Sequence, residues 1–549
     1  MVVRRTPLAG LALALVLALV PASPAAASPL LTLRANGTTF TREDRFLAPD
    51  AGLAPPGAAA RPASLPAPRA LGARPAAAGD GAASGPTVPV ELARMVTTGE
   101  IDQPAHDRYQ QIYDDARATL KKLHGARRVS LGAVLRNLEA SAGSGELNAS
   151  RLPALFETVA RNRRWWSAGP LLRYGQRVSF QGSRLVWQYY TGEGLQIQWL
   201  GTFGKANGLW QGGVYDAALR ELLDEALGLA SQRAGGIAWE YLFRFDGGRP
   251  PWVSGLAQGT ALQAYSRAAV RLNEPRYFQA ARSALGIFRE APPAGVRVAT
   301  PAGAHYLLYS FAPGLRVLNA FTQSLNGLSD FAALANDAEG RALFAAGEAQ
   351  LRTELPAYDT GAWSRYSLHR EADLSYHRLA RDFLRNLCTR LTEAQARPPV
   401  AAAAQAGAPL PLPPPTGGTA PAPAPVPPPA PAAPPADPAP YCGAAQRWTR
   451  YLSQPPKPAL ASARVRGGKP AAVAFTLDKP AFVTLSLRRA GRTVAVLSGS
   501  FSSGRHALRW RAAPRAGGVF AVRLFARDLA GNGGGGGGRL RVLRARRKG

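Results

Sequence analysis

The stretch Asp216–Leu229 reads DAALRELLDEALGL, and it decides the fold class. Its apolar side chains recur at steps of three and four residues, which is the spacing of one face of an α-helix. These side chains are Leu219, Leu222, Leu223, Ala226 and Leu229. Similar spacing returns from Gly255 onward and again after Pro275. We therefore predict a mainly α-helical region over residues 211–396, built from successive helices.

The chain before this region changes character. Residues 89–168 also show helical spacing, with apolar side chains at Tyr109, Ile112, Tyr113, Ala116, Leu120 and Leu123. Residues 169–210 instead contain three short runs rich in β-branched and aromatic side chains, RVSFQ, LVWQYY and LQIQWL, with glycine-containing turns between them. Such runs are typical of antiparallel strands. We predict an N-terminal helical segment over 89–168 and a small antiparallel β-element over 169–210.

The N-terminus has the layout of a secretory signal peptide. Arg4 and Arg5 precede an apolar run over residues 8–20, and three alanines end at position 27. The run is shorter than the about 20 apolar residues that a membrane-spanning helix needs, and no other stretch is a candidate. We predict a signal peptide over 1–27, a secreted or cell-envelope protein, and no stable membrane span after cleavage. An uncleaved anchor is the alternative.

Three further segments have compositions that predict no packed core. Residues 28–88 are dominated by alanine, proline and glycine, and we predict a disordered linker there. Residues 397–440 are rich in proline and alanine, and we predict an extended, semi-rigid insertion. Residues 544–549 form a basic tail.

The C-terminal part of the chain predicts a second folded unit. Four short alternating runs, AAVAFTL, AFVTLSL, TVAVL and VFAVRLF, lie between residues 459 and 543 with turns between them, as strands of a β-sandwich do. The segments GRHALRW at 504–510 and ARDLAGN at 526–532 resemble the signatures of FlgD-like immunoglobulin-type sandwiches. We predict such a β-sandwich over 459–543, with an accessory role.

The formal net charge of the chain is +31, and arginine carries most of it. A positive field of this size attracts polyanions such as nucleic acid, anionic lipid or acidic polysaccharide. An arginine-rich composition inherited from a GC-rich genome explains the charge equally well. The sequence shows no helix-turn-helix, zinc-finger or RNP-like motif, so nucleic acid is not a predicted partner. For a secreted chain, we predict an acidic polysaccharide instead.

Two tyrosine-rich segments carry the strongest functional signal. YDTGAWSRYSL, residues 358–368, is followed by Tyr376-His377, and YLLYSFAPG, residues 306–314, leads into VLNAF. Together they resemble the C-terminal catalytic region of D-glucuronyl C5-epimerases, which invert a uronic acid inside a polysaccharide. The resemblance implies an α/α-toroid for 211–396, although helical spacing alone suits a solenoid equally. RWTRYL at 447–452 resembles the helix that closes the epimerase domain, which we place over 441–456.

The resemblance also implies the residues of the site. The family's three important tyrosines correspond to Tyr309, Tyr366 and Tyr376 here. We predict that substrate is bound by Arg316, Asn319, Arg365, Arg370, His377 and Trp252. Capping of a helix is an equal alternative for His377. Vertebrate members have an acidic residue just before the first tyrosine, where this chain has Leu308.

Inversion at C5 needs one group to remove a proton and another to deliver one to the opposite face. Tyrosine can do both, but its usual pKa of about 10 must be lowered for base catalysis, and we expect the nearby arginines to lower it. The leading prediction is an isomerase of the D-glucuronyl C5-epimerase type. A uronic-acid polysaccharide lyase and a non-catalytic acidic-glycan-binding protein are the alternatives.

Cys388 and Cys442 are the only cysteines of the chain. In an oxidising compartment an even pair predicts a disulfide, here one that brackets the Pro/Ala-rich insertion, with two unpaired buried thiols as the alternative. No CxxC or HExxH spacing occurs, so we predict no metal site. We also predict no cofactor, and we leave a homodimer open.

Overall fold

The structure is a computed structural model that describes residues 28–47, 85–396, 436–462, 464–466, 470–511 and 517–543. The predicted signal peptide, most of the predicted linker, most of the Pro/Ala-rich insertion and the basic tail lie outside the described residues. Within them, every helix is too short or too polar to cross a bilayer. The described chain is mainly helical, with several small sheets and a separate C-terminal β-unit.

Strands β1 (Ser28–Leu33) and β2 (Thr39–Asp44) form an antiparallel hairpin around an Asn36-Gly37 turn. Gly37 has a φ of +83°, a conformation that glycine adopts without steric cost. The side chain of Asp44 forms a buried ion pair with Lys205, at 3.1 Å. The prediction of a disordered linker over 28–88 is therefore wrong for residues 28–47.

Residues 88–168, where the sequence predicts a helical segment, contain four helices. These are α1 (Val88–Thr97), α2 (Gln103–Lys122), α3 (Gly125–Gly143) and α4 (Leu152–Ala168). The start of α2 is fixed by the Asp102 carboxylate, which accepts a hydrogen bond from the backbone N–H of Ala105 at 2.8 Å. Aromatic side chains from this segment, including Trp165 and Trp166, are buried in the main core.

The predicted β-element contains β3 (Arg177–Phe180), β4 (Trp187–Tyr190) and β5 (Gly194–Ile197). They pair antiparallel, and β1 adds to the sheet in parallel with β3, giving the order β2-β1-β3-β4-β5. The β-element ends earlier than predicted, because residues 199–211 form a helix. Gln198 caps this helix by accepting a hydrogen bond from the backbone N–H of Gly201 at 2.8 Å.

The main helical region follows. Its elements are α5 (Trp199–Gln211), α6 (Asp216–Leu227), β6 (Ser231–Arg233), β7 (Gly236–Ala238), α7 (Gly255–Arg271), α8 (Arg276–Ser283), α9 (Gly286–Arg289), β8 (Arg297–Thr300), β9 (Gly303–Tyr306), α10 (Leu318–Leu334), α11 (Ala338–Glu354), a 3₁₀ turn (Leu355–Tyr358), β10 (Arg365–Ser367), β11 (Arg370–Glu371), α12 (Leu374–Ala396) and α13 (Ala439–Tyr451). Helix α10 packs against α7, α11 and α12, and α7 also packs against α5 and α8. Short hairpins between helices, which the sequence did not predict, carry parts of the site. The toroid stays a prediction.

Helices α7 and α10 approach each other closely because glycines face each other. A Cβ atom on Gly327 would lie 2.0 Å from the carbonyl oxygen of Gly259, and one on Gly259 would lie 2.6 Å from the Cα of Ser324. A larger residue at either position would push the two backbones apart. Gly327 thus serves helix packing inside α10.

Helix α13 closes the helical region by packing on α12. Cys388 of α12 and Cys442 of α13 form a disulfide, the pairing that the sequence predicts. Trp448 of α13 is fully buried. The helix spans 439–451, and residues 452–456 of the predicted closing helix lie beyond its end.

The described residues of the C-terminal unit form strands and no helix. The strands are β12 (Ala459–Leu460), β13 (Arg464–Arg466), β14 (Pro470–Leu477), β15 (Ala481–Arg489), β16 (Arg492–Phe501), β17 (Gly504–Arg511), β18 (Gly518–Asp528) and β19 (Gly533–Leu543). One sheet has the order β12-β14-β17 and the other the order β13-β19-β18-β15-β16. Both contribute to one core, separate from that of the helical region. The sandwich and the FlgD-like assignment stay predictions.

The C-terminal unit contacts the helical region through polar groups. The Lys479 ammonium donates to the carbonyl oxygens of Tyr451 and Gln454, at 2.7 and 2.6 Å, where α13 ends. It also pairs with Asp528 at 3.3 Å, and both side chains are at most 1% exposed. The side-chain amide of Asn532 donates to the carbonyl of Leu452 at 2.8 Å. A buried charge at this junction shows that the unit is docked on the helical region.

Candidate active site

Three elements carry the predicted catalytic tyrosines. Tyr309 lies in the segment after β9, Tyr366 is the central residue of β10, and Tyr376 is in the first turn of α12. The rings of Tyr366 and Tyr376 are 4.6 Å apart between centres. An ionised Tyr366 or Tyr376 would oppose ionisation of Tyr309. The structure therefore brings the three side chains close enough to interact.

Local structure explains this arrangement. The backbone of Ser367 in β10 bridges to Val317, just before α10, and so ties the hairpin to the segment that follows Tyr309. At the start of α12, the Asp373 carboxylate accepts the backbone N–H of Tyr376 at 2.8 Å. Short polar side chains at such positions satisfy helix N–H groups that have no partner inside the helix. The hairpin and the helix start fix the backbones that carry Tyr366 and Tyr376.

The tyrosines differ in depth. Tyr309 is 2% exposed and Tyr366 is 8% exposed, whereas Tyr376 is half-buried. Tyr309 stacks on Phe311, with 5.1 Å between ring centres. The accessible end of the cluster is therefore at Tyr376, and Tyr309 lies at its base.

Burial keeps two of these phenols protonated. Desolvation raises the pKa of Tyr309 well above its usual value, and the neighbouring Tyr366 and Tyr376 add to the effect. Desolvation likewise raises the pKa of Tyr366, although Arg370 acts in the opposite direction. Arg370 therefore acts on the pKa of Tyr366 in the expected direction, but burial outweighs it, and the expected net lowering of the tyrosine pKa values is wrong for Tyr309 and Tyr366. Both are proton donors at neutral pH.

The predicted arginines occupy different places. The guanidinium of Arg370 lies over the ring of Tyr366, 5.5 Å from its centre. Arg365 donates to the carbonyl of Leu368 at 2.9 Å, within the same hairpin. Arg316 pairs at 2.5 Å with the carboxylate of Glu354. Of the three, Arg370 is the one whose guanidinium faces a tyrosine predicted to be catalytic.

Asn319 lies in the first turn of α10 and is 3% exposed. Its side-chain oxygen is buried and has no hydrogen-bond partner among the described residues. A buried acceptor without a partner is unfavourable by about 1–3 kcal/mol, so such atoms often mark a place where another group binds. The predicted substrate-binding role of Asn319 is consistent with this geometry.

Trp252 does not present a surface for a sugar. It is 1% exposed and its ring lies 4.3 Å from that of Tyr241 in a stacked arrangement. Its indole N–H donates to the carbonyl of Phe243 at 2.8 Å. It also packs against Tyr309 edge to face, at 5.4 Å. Trp252 therefore supports the base of the tyrosine cluster, and the predicted substrate contact is wrong in this structure.

His377 is likewise part of the core. Its ring is fully buried, stacks on Trp363 at 3.9 Å, and contacts the Ser364 hydroxyl through Nδ1 at 2.7 Å. Its Nε2 lies 3.0 Å from the carbonyl oxygen of Trp448 and donates to it. Both nitrogens are engaged within the protein, so the predicted contact with substrate is wrong here. His377 instead links Ser364, next to the hairpin of β10 and β11, to Trp448 of α13.

This environment gives a testable pH dependence of stability. Burial lowers the pKa of His377 from 6.5 to about 4. Between pH 6.5 and 4, residue 377 therefore binds more protons in the unfolded chain than in the folded protein. The neutral, buried His377 thus contributes to the free energy of unfolding above pH 6.5, and this contribution is lost as the pH falls to 4. We expect the wild type to lose about 3 kcal/mol more than His377→Gln over this interval, measured by urea unfolding.

The exposed His124 provides the control for this experiment. His124→Gln should keep the pH dependence of the wild type. An equal dependence in His377→Gln and in the wild type would contradict the assignment of a buried, neutral imidazole.

Asp246 is a further residue near Tyr366 that the sequence did not predict as part of the site. It lies in the turn between Phe245 and Gly248 with a φ of +48°, and desolvation raises its pKa. An ionised Asp246 would in turn raise the pKa of Tyr366, so the two side chains interact. The Asp-Gly pair is a turn signal, which concealed the carboxyl group's position near the tyrosines.

A cavity of about 460 Å³ lies elsewhere, between α13 and the loop after α11. Its polar groups include Asp359, whose carboxylate is bonded to Arg447 at 3.1 Å and to the Tyr451 hydroxyl at 3.0 Å. None of the predicted site residues lines this cavity. Among the described residues, no three His, Cys, Asp or Glu side chains come together as metal ligands.

The part of the chain that holds the three tyrosines is also the part that is similar to known proteins. Residues 234–396 match the family model described as D-glucuronyl C5-epimerase C-terminus. The chain is also 34% identical over 136 residues to D-glucuronyl C5-epimerase of Caenorhabditis elegans, and the alignment covers 22% of each protein. The chain thus spans about a fifth of the length of this relative. The region that holds all three tyrosines is similar to the C-terminal part of D-glucuronyl C5-epimerases.

Proposed function

We propose that this chain is a secreted polysaccharide uronate C5-epimerase that removes the C5 proton of a uronic acid and returns a proton to the opposite face. The observation that carries the proposal is the cluster of Tyr309, Tyr366 and Tyr376 inside the region that matches the epimerase family. The net charge of +31 favours an acidic polysaccharide as substrate.

Arg370 is the group that we assign to the substrate carboxylate. Loss of the C5 proton pushes negative charge onto that carboxylate, and a fixed guanidinium stabilises the charge as it develops. Arg370 is close enough to the Tyr366 ring, at 5.5 Å, for both to act on one sugar. Asn319 would provide a further contact through its side-chain carbonyl oxygen, which has no hydrogen-bond partner among the described residues. This oxygen can accept a hydrogen bond from a sugar hydroxyl.

The distances between the rings also indicate on which side of the sugar each tyrosine lies. A sugar between two aromatic rings needs a separation of about 7–8 Å, since each contact takes about 3.5–4.0 Å. The rings of Tyr366 and Tyr376 are only 4.6 Å apart. We therefore place these two on one side of the sugar, where Tyr376 would accept the C5 proton as a phenolate, and Tyr309 on the other side, where its protonated hydroxyl would return a proton. Leu308, buried next to Tyr309, carries no proton that could assist it.

Proton exchange in deuterated water tests this proposal. The full chain is incubated with uronic-acid polysaccharides, and NMR is used to detect deuterium at C5. Incorporation with inverted configuration is the expected result. An unsaturated product that absorbs ultraviolet light would identify a lyase instead, and tight binding without exchange would identify a non-catalytic glycan-binding protein.

A further inference from the structure

The five-stranded sheet of the C-terminal unit has one face in the core and one face in solvent. Along β18, Phe520, Val522, Leu524 and Ala526 are buried, whereas the residues between them are exposed. Three consecutive outward residues of this strand are Arg523, Phe525 and Arg527. Phe525 is 49% exposed. The outward face therefore presents an aromatic ring between two guanidinium groups.

The neighbouring strands extend this pattern across the sheet. Phe482 of β15 lies opposite Arg527 and is 47% exposed. Arg539 of β19 lies opposite Ala521, which in turn lies opposite Arg488 of β15. Neighbouring strands are about 4.8 Å apart, so these side chains lie within reach of one extended ligand. We call Phe482, Arg523, Phe525, Arg527 and Arg539 the outer basic face.

This face has no acidic side chain to balance it. Residues 459–543 contain fifteen lysines and arginines but only two acidic residues, Asp478 and Asp528. Asp528 is buried with Lys479, and Asp478 accepts the backbone N–H of Lys457 at 2.7 Å. Among the described residues, the arginines of the outer basic face form no ion pair. Their charge is therefore available to a polyanion.

The outer basic face begins at the junction with the helical region. The backbone N–H of Ser503 donates to the Glu371 carboxylate at 2.9 Å, and Glu371 follows Arg370 in the catalytic hairpin. Ser503 is three residues from Ser500, the residue opposite Phe482. At the same end of the sheet, Arg527 lies opposite Gly533, which follows Asn532 at the junction. One end of the face is thus close to the hairpin that carries Tyr366.

We propose that the outer basic face is a second docking surface for the acidic polysaccharide, and that it holds a part of the chain remote from the sugar being inverted. The inference rests on the proposed function for the identity of the ligand. Guanidinium groups bind carboxylates in bidentate fashion, and exposed aromatic rings cover the apolar faces of sugars. Contacts outside the reacting centre increase the affinity for long substrates through an increased local concentration.

Charge reversal on this face tests the inference in the full chain. We expect R523E/R527E to raise the Kd for heparosan polymer at least 10-fold, measured by calorimetry at a fixed salt concentration. The uncharged variant Phe482→Ser should also weaken binding. C5 exchange on a heparosan hexasaccharide should stay at the wild-type rate, while KM for the polymer rises.

The opposite sheet provides a matched control. Arg505 and Arg509 are exposed on β17, so R505E/R509E changes the net charge by the same amount in the same unit. We expect less than a threefold change in Kd for this variant. Equal weakening by both double variants would overturn the inference, as would tighter binding to DNA or to anionic lipid vesicles than to heparosan. Because binding is measured without turnover, an absence of C5 exchange would count against the proposed function alone.

Discussion

Replacement of Tyr366 by phenylalanine is expected to lower the rate of C5 proton exchange by about 10²-fold or more, the usual contribution of an acid/base group. The change removes only the hydroxyl group, and the ring can keep its 4.6 Å contact with Tyr376 and its contact with Arg370. Folding should therefore survive. Tyr376→Phe should have an effect of the same size, since Tyr376 lies at the accessible end of the cluster.

Deuterium incorporation at C5 under single-turnover conditions is the measurement for both variants, with circular dichroism to check folding. Tyr109→Phe is the matched control, because Tyr109 packs against Phe156 in the N-terminal helical segment, outside the tyrosine cluster. Normal exchange in either site variant would exclude that hydroxyl from the reaction. A loss of exchange accompanied by unfolding would also count against the expectation, because it would show a structural role.

Lys479→Met is expected to lower the free energy of unfolding by about 3–5 kcal/mol, the usual cost of removing one partner of a buried ion pair. The substitution leaves Asp528 charged and buried, and it removes the ammonium that bonds to the carbonyls of Tyr451 and Gln454. Lys479 also lies 5.6 Å from the centre of the ring of Trp363, a residue just before β10. Urea unfolding followed by tryptophan fluorescence measures the effect.

Two further variants make this prediction specific. Lys457→Met, at an exposed position just before the C-terminal unit, should change the stability by no more than about 0.5 kcal/mol. The double variant K479M/D528N should be more stable than Lys479→Met, since it removes the uncompensated charge. If Lys479→Met unfolds at the same urea concentration as the wild type, the junction does not depend on this ion pair.

The helices were the most predictable part of the fold. The periodic stretch at 216–229 is helix α6 over most of its length, because a regular apolar face can be buried only in that conformation. The hairpin at 28–47 was missed for a different reason. Its composition was averaged with that of the proline-rich residues after it, although Asn36-Gly37 next to the apolar run at residues 30–33 is a hairpin signal. At residues 28–47 the turn-forming pair Asn36-Gly37 indicated the structure, whereas the average composition of residues 28–88 did not.

The sequence was sufficient to predict which tyrosines form the cluster, but not how buried their side chains are. The spaced tyrosines identified Tyr309, Tyr366 and Tyr376, which lie close together. Their pKa values could not be derived from neighbours in the sequence, because burial by distant elements dominates over nearby arginines. Burial also decided the role of His377, whose partners include the Trp448 carbonyl, 71 residues away in the sequence.

The position of β1 in the sheet has a consequence for the order in which the protein can fold. The Thr32 hydroxyl bonds to that of Ser179, at a distance of 2.7 Å and a separation of 147 residues. During synthesis, β1 can form its hairpin with β2 as soon as both have emerged, but its parallel neighbour β3 does not yet exist. Closing so long a loop is entropically unfavourable until other contacts have drawn the ends together. The edge of β1 that pairs with β3 therefore stays unpaired until roughly the next hundred and fifty residues have been synthesised. During that interval the hairpin exposes an unpaired strand edge.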